Sequence, residues 1–260
     1  MDGLNPAFGA DFLSRIEDAG LNASAPPQQR WIDGWLVRFS PAKAKRARCV
    51  NAVADGRLTL DERLAACERV FAGAALPLIV RVTPFSAPTG LDGVLEAHRL
   101  RRFDDTRVMV LGQLPGPAPA MPTGLSLHRL EPTAFAERVG GFRGSPIAQR
   151  LAHAERIAQS PVPHFGFELR RNSEPLACGQ FAIEDESVGL YDVFTAPAAR
   201  RRGLASLLCQ HMLEQAASRG AKHAYLQVEA DNASARAIYH RIGFVDGYAY
   251  HYRTRNPSAA

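Results

Sequence analysis

Apolar positions along this chain follow two spacings. Where they recur at three and four residues, as at Leu60, Leu64, Cys67, Val70 and Phe71, they predict one face of a helix, here over 61–72. Where they run in short blocks bounded by Gly, Pro, Asn or Asp, they predict strands. Read this way, the first half gives a short helix over 11–19, a break at Pro26-Pro27, and strands over 35–39 and 46–53. The helix over 61–72 follows, then a strand over 78–82, a helix over 91–98 and a strand over 106–111. The second half gives a strand over 126–130, helices over 132–139 and 147–159, and strands over 165–170, 177–183 and 188–195. Turns at 172–175 and 184–187 make those three strands consecutive hairpins. A long helix over 203–218 closes at Gly220, where a left-handed residue is favoured. A strand over 223–228, a helix over 234–242 and a strand over 248–252 complete the pattern.

Hairpin strands followed by strand, helix, strand, helix, strand predict an α+β protein, with a mixed, mostly antiparallel sheet flanked by helices. The halves meet at LPGPAPAMPTG, 114–124, whose four prolines and two glycines suit neither a helix nor a central strand. The expected organisation is a smaller N-terminal lobe of related β/α architecture over 1–114, a linker over 115–124 and a second lobe over 125–260.

Composition narrows the class. The chain has 260 residues, 46% of them hydrophobic and 22% charged, which is ample for a core. No apolar run approaches a membrane span, and the first twenty residues carry no basic start or apolar segment of a secretory signal. Cys49, Cys67, Cys178 and Cys209 form no Cys-x-x-Cys pair, so neither a metal site nor a disulfide framework is expected. A cytoplasmic protein, monomeric or homodimeric and without membrane partners, is the expectation. Net charge is +5; lysine occurs three times and the other 28 basic residues are arginine. That bias suits genome composition or recognition of anions by guanidinium forks. No basic stretch is interleaved with aromatics, so a nucleic-acid partner is not expected.

The sharpest local feature is VFTAPAARRRGLASLL, 193–208. A strand ends at Thr195, Pro197 stops it, and Arg200-Arg201-Arg202-Gly203-Leu204-Ala205-Ser206 leads into the long helix. The first amides of a helix lack intrahelical partners and carry the positive end of its dipole, so this turn is a candidate anion site. Gly203 lets a phosphate approach the backbone, Ala205 lets helix and sheet meet closely, and the arginines add forks. The Gly-Lys-Ser/Thr ending of a nucleotide loop and the three glycines of a dinucleotide fold are both absent. Further on, LQVEADNASARAIYHRIGF, 226–244, delivers Asn232 to a helix start and places Tyr239 two turns later. Ala235, Ile238 and Ile242 are expected to form a separate core-facing stripe.

Arg200-x-x-Gly203-x-Ala205 on a strand-to-helix turn, followed by an Asn and by Tyr-x-x-x-Gly-Phe, resembles the GCN5-related N-acetyltransferase superfamily over about residues 125–252. A weaker likeness lies in DGWLVRFSPAKAKRARCVNAV, 33–53, which looks like the opening lobe of two-lobed bacterial members. Having no Arg-x-x-Gly-x-Gly turn, that lobe is expected to be degenerate, and Cys49 departs from the usual form. The resemblance implies an acetyl-CoA-dependent enzyme that acetylates a primary amine of a small molecule, peptide or protein, with no metal. Arg201 to Ser206 would bind the pyrophosphate, with Leu204 and Ala205 in the turn. Val193, Phe194 and Thr195 would pair with the pantetheine arm, Asn232 would contact that arm, and Tyr239 would protonate the departing thiolate.

An acceptor amine must be neutral to attack. For a lysine-like amine with a pKa near 10.4, that costs roughly 4.6 kcal/mol at pH 7. Candidate bases are Asp192, Glu229 and a water-relayed group, with Glu184, Glu186 and His164 as weaker ones. The oxyanion donor is expected at the backbone N–H of Phe194 or a neighbour. The alternatives are a non-catalytic acyl-CoA-binding sensor or scaffold and an unrelated anion binder.

Overall fold

The computed structural model describes residues 3–41 and 44–259; Ala42 and Lys43, inside the N-terminal segment quoted above, lie outside it. The N-terminal half contains α1 (Ala10–Ala23), β1 (Gln29–Ile32), β2 (Trp35–Arg38), β3 (Val50–Asn51), α2 (Leu60–Gly73), β4 (Val80–Val82), α3 (Leu91–Ala97) and β5 (Arg101–Leu111). The C-terminal half contains β6 (Leu125–Leu130), α4 (Pro132–Arg143), α5 (Ile147–Ala158), β7 (His164–Arg171), β8 (Glu174–Glu184) and β9 (Ser187–Thr195). It continues with α6 (Leu204–Ala217), β10 (His223–Glu229), α7 (Ala233–Ile242) and β11 (Val245–Thr254).

The eleven strands of the described residues form one sheet in the order β1-β2-β3-β4-β11-β5-β10-β9-β8-β7-β6. Among them only the β3–β4 and β9–β10 pairs are parallel. The fold is thus α+β with a mixed, mostly antiparallel sheet, as the patterning predicts. The two halves are interleaved: β5 is hydrogen-bonded to β10 on one side and β11 on the other, and β11 also pairs with β4.

The composition of β5 explains its central place. Met109 and Leu111 enter the core beneath α6, while Val108 and Val110 enter the opposite core against α1. Side chains alternate across a strand, so an unbroken apolar run suits a strand covered on both faces. On one face α6 lays Leu204, Leu208, Cys209, Met212, Leu213 and Ala216 onto the sheet. On the other, Leu13, Ile16, Ala19 and Ala23 of α1 meet Tyr191, Tyr225, Tyr248 and Tyr250. The predicted stripe of α2 also holds: Leu64, Cys67, Val70 and Phe71 are buried, and Thr59 and Glu62 form a reciprocal cap at its start.

Two features of the N-terminal half differ from the sequence expectation. The strand predicted over 46–53 is a 3-10 turn at Lys45–Ala47 followed by the two-residue β3. The run Lys45-Arg46-Ala47-Arg48 has no alternation to hold a ladder; Lys45 instead pairs with Asp104 at 2.9 Å. Strand β1, on the open edge and largely exposed, carries no apolar pattern and is not predicted. The Pro-rich linker forms no helix or strand, but is held by Leu114 N–H to the Lys222 carbonyl (3.0 Å) and Ala118 N–H to Glu214 (3.2 Å).

Candidate active site

The site begins where two parallel neighbours part. Strands β9 and β10 pair from Ser187 opposite His223 to Leu190 opposite Leu226, and no further. The cause lies on the other side of β9. There Gln180 of β8 pairs with Tyr191 but Cys178 pairs with Phe194, so Asp192 and Val193 together face Gly179. Such a bulge bends and twists its strand, here away from β10. Asp192 carries the distortion at φ 53°, in the left-handed region. The resulting cleft, about 440 Å³, has Leu190 to Val193 on one wall and Leu226 to Glu229 on the other, with Asn232, Ala235 and Tyr239 also lining it.

Beyond Thr195 the chain enters a 3-10 turn at Pro197–Ala199, then Arg200 to Gly203, then α6. Arg201 (φ 61°) and Gly203 (φ 75°) are both left-handed. Alternating handedness of this kind turns successive amides toward one point and favours an anion there. No side chain caps α6, and among the described residues the amides of Leu204, Ala205 and Ser206 have no acceptor. A Cβ at Gly203 would meet nothing within 4 Å, so the space over this amide cradle is open. Arg200, Arg201 and Arg202 are exposed around it, the Arg200 guanidinium lying 5.6 Å from the Phe194 ring centroid. A diphosphate fits these groups.

Asn232 caps α7 through Oδ1, which accepts from Ala235 N–H and Ser234 Oγ, each at 3.1 Å. Its amide nitrogen is left for the cleft. Tyr239 packs against the core together with Ala235 and Ile242, its ring edge-on to Phe244 at 6.1 Å. It therefore shares the inward stripe instead of standing apart from it. The reason is the i, i+4 and i, i+7 spacing from Ala235. Its hydroxyl has no hydrogen-bond partner among the described residues, and burial pushes its pKa upward. The phenol is protonated at neutral pH and available as a donor.

The carboxylates are sorted clearly. Asp192 accepts from Arg143 Nη1 (2.8 Å) and Gln180 Nε2 (2.8 Å), with His153 Nε2 at 3.3 Å. Burial opposes its charge, but His153, Arg143 and Arg156 outweigh that, and its carboxyl is held well below the usual range. Glu229, at the end of β10 opposite Thr106, lines the cleft and forms no ion pair among the described residues. Glu184 and Glu186 lie at the far end of the β8–β9 hairpin, bonded to Asn22 and Lys222, away from the cleft. His164 bonds to Gln180 at 3.3 Å and does not line the cleft. Burial, reinforced by Arg156, lowers its pKa to about 4, so it is neutral at pH 7.

Sequence reasoning missed His153, Gln180, Arg143 and Arg46. Gln180 left a signal, a polar residue within the otherwise apolar run of β8, where it is 1% exposed. The others come from distant segments and left none. Among the described residues no group of three or more His, Cys, Asp or Glu could hold a metal, and no helix is long and apolar enough to cross a membrane.

Residues 133–244 match the acetyltransferase (GNAT) family. The chain is 23% identical to an uncharacterized N-acetyltransferase of Bacillus subtilis over 94% of its own length and 99% of that protein. The solved structure of a GCN5-related N-acetyltransferase from Kribbella flavida matches with a TM-score of 0.68 at 20% identity, covering 94% of this chain and 95% of that one. A tandem GNAT protein from the clavulanic acid biosynthesis pathway matches with a TM-score of 0.63 at 15% identity, over 91% and 88%.

Proposed function

We propose, from the match of residues 133–244 to the acetyltransferase (GNAT) family, that this chain is an enzyme of that kind and transfers an acetyl group from acetyl-CoA to a primary amine by direct attack. One observation carries the reading. The strands β9 and β10 part beside an uncapped helix start, and a protonated tyrosine with no hydrogen-bond partner among the described residues lines the gap. Acetyl-CoA is the acyl donor substrate. The amides of Leu204 to Ser206 hold its pyrophosphate, with Arg200, Arg201, Arg202 and Gly203 around it. Its pantetheine arm adds to the free edge of β9 at Val193, Phe194 and Thr195, as a peptide adds to a sheet edge. The amide nitrogen of Asn232 reaches the same arm. A backbone N–H of the Val193–Phe194 stretch, at the bulge, donates to the thioester oxygen as negative charge develops there.

We assign the base to Glu229, directly or through water, in preference to Asp192. Asp192 is engaged by Arg143, Gln180 and His153, and its carboxyl is held well below the usual range, which makes it a poor proton acceptor, whereas Glu229 lines the cleft without an ion pair among the described residues. Asp192 instead fixes Arg143, Gln180 and His153 against the bulge. The neutral amine attacks the thioester carbon, the C–S bond breaks, and the thiolate takes the Tyr239 proton. Burial keeps Tyr239 protonated at neutral pH, so the proton is on its oxygen when the C–S bond breaks.

The test is a thiol-release assay with acetyl-CoA against amines, polyamines, amino acids and peptides, beside calorimetric titration of acetyl-CoA. Release with at least one amine is expected. Binding without release from any acceptor would turn the reading to a non-catalytic acyl-CoA module. No binding at all would make the turn a site for some other anion.

A further inference from the structure

Behind the bulge a second, smaller chamber of about 90 Å³ opens from the cleft. The two spaces share Arg46, Arg143, Tyr191 and Asp192 in their walls. Three guanidinium groups line the chamber, those of Arg46, Arg143 and Arg156, against the single carboxylate of Asp192. That carboxylate is already committed to Arg143 and His153. Arg46 and Arg156 form no ion pair among the described residues. Among the described residues Arg156 donates only to the Ala23 carbonyl, at 3.1 Å. Arg46 lies 5.9 Å from the Tyr191 ring centroid and hydrogen-bonds with the Tyr250 hydroxyl, while its Nε is buried with no hydrogen-bond partner among the described residues.

Three guanidinium groups around one carboxylate leave positive charge in excess, and burying that excess is a cost the fold's own acids meet only in part. A bound oxyanion would meet it, and two arginine forks are suited to hold one. The chamber has room for a few waters or one small oxyanion, a carboxylate or a phosphate. Its neutral lining, Ser145 and Gln149 included, adds donors. The remaining cleft runs from this chamber toward Glu229 and Tyr239.

We infer that the acceptor is a small amine that also bears an oxyanion, which Arg46 and Arg156 hold in this chamber while the amine end points to Glu229. The inference rests on the transferase reading and names the acceptor class for it. It also gives the N-terminal half a task, because Arg46 belongs to the turn before β3 and Ala23, on the chamber wall, ends α1. Attack then occurs at one end of a ligand anchored at the other, which fixes its orientation before reaction.

The experiment compares matched acceptors on the full chain: amino acids against their amides, and phosphoethanolamine against ethanolamine. In thiol release, the charged member of at least one pair should have kcat/KM higher by about tenfold or more, mostly through KM. Which pair responds tells carboxylate from phosphate. Arg46→Gln should bring that ratio close to one, and Arg46→Lys should restore part of it. In parallel, N-acetyl amino acids and their amides are titrated by calorimetry with CoA present, and the acids should bind about tenfold more tightly. Equal rates and equal binding for charged and neutral members would overturn the inference while leaving the transferase reading intact. Tighter binding of the acids without thiol release from any amine would remove the transferase reading and leave the anion site standing. A ratio unchanged in Arg46→Gln, in protein that melts as the parent does, would also overturn it.

Discussion

Asp192→Asn tests the division of labour among the acids. The change keeps the shape of the side chain and removes its charge. In the parent, that charge meets Arg143 and Gln180 at 2.8 Å and His153 at 3.3 Å. A hydrogen bond to a charged group contributes about 1.5–3 kcal/mol, and stripping one partner from a buried pair costs about 3–5 kcal/mol. Arg143 is one-third exposed and Asp192 one-fifth, so solvent screens part of this. A destabilisation of about 2–4 kcal/mol is expected, large against a typical total of about 5–15 kcal/mol. Urea unfolding at pH 7 measures it, as a lower midpoint at constant slope. The pH dependence has a definite sign. The folded pKa lies below the ordinary 3.8, so the contribution is fully present above that value and is lost as pH falls through the folded pKa. The gap between parent and variant should hold from neutral pH down to mildly acidic conditions and narrow below 3.8. A variant within about 0.5 kcal/mol of the parent that had nonetheless lost kcat would refute the reasoning and return the base role to Asp192.

Glu229→Gln should lower kcat and remove the acidic limb of the kcat/KM profile; an unaltered profile would exclude this carboxylate as base. Tyr239→Phe should keep acetyl-CoA affinity in calorimetry and lower turnover about 10²–10⁴-fold, and a parental rate at every pH would show that the hydroxyl is idle. Gly203→Val brings its Cβ within 4 Å of no neighbour, so its main stability cost is left-handed strain of about 1–2 kcal/mol. It should raise the acetyl-CoA dissociation constant at least tenfold, and unchanged affinity would move the diphosphate elsewhere. A fragment covering 115–260 lacks β5 and leaves β10 and β11 without their shared neighbour. Circular dichroism and urea titration should find no cooperative transition, whereas a soluble fragment that binds acetyl-CoA would show the second half to be self-sufficient.

Local chemistry made most of the second half, and β5 in the first, legible. The run of β5, the hairpins at 172–175 and 184–187, and the turn from Arg200 to Ser206 each carry their signal within a dozen residues. The same holds for Asn232 as a cap and Tyr239 two turns on. What stayed hidden depends on partners distant in sequence. The bulge at Asp192 needs the register of β8 and the pressure of α6, whose Met212 would sit 3.0 Å from any Cβ at Gly179. The insertion of β5 between β10 and β11 joins residues more than a hundred positions apart, and the apolar run records only that both faces are covered. Arg46 reads as part of a basic strand because only the folded chain turns it toward Tyr191.

The position of β5 also bears on how the molecule is made. A ribosome releases this strand, apolar on both sides, long before residues 223–254 exist to flank it. Until then its hydrogen-bonding edges face water or whatever protein shields nascent chains. The cleft between β9 and β10 acquires a rigid back only when the late strand slides in between β4 and β5. Closure over such separations is slow, and a waiting central strand is exposed to aggregation. Competence to bind acetyl-CoA should therefore arise only once residues 223–254 are free to pair, in one late step that assembles both halves together.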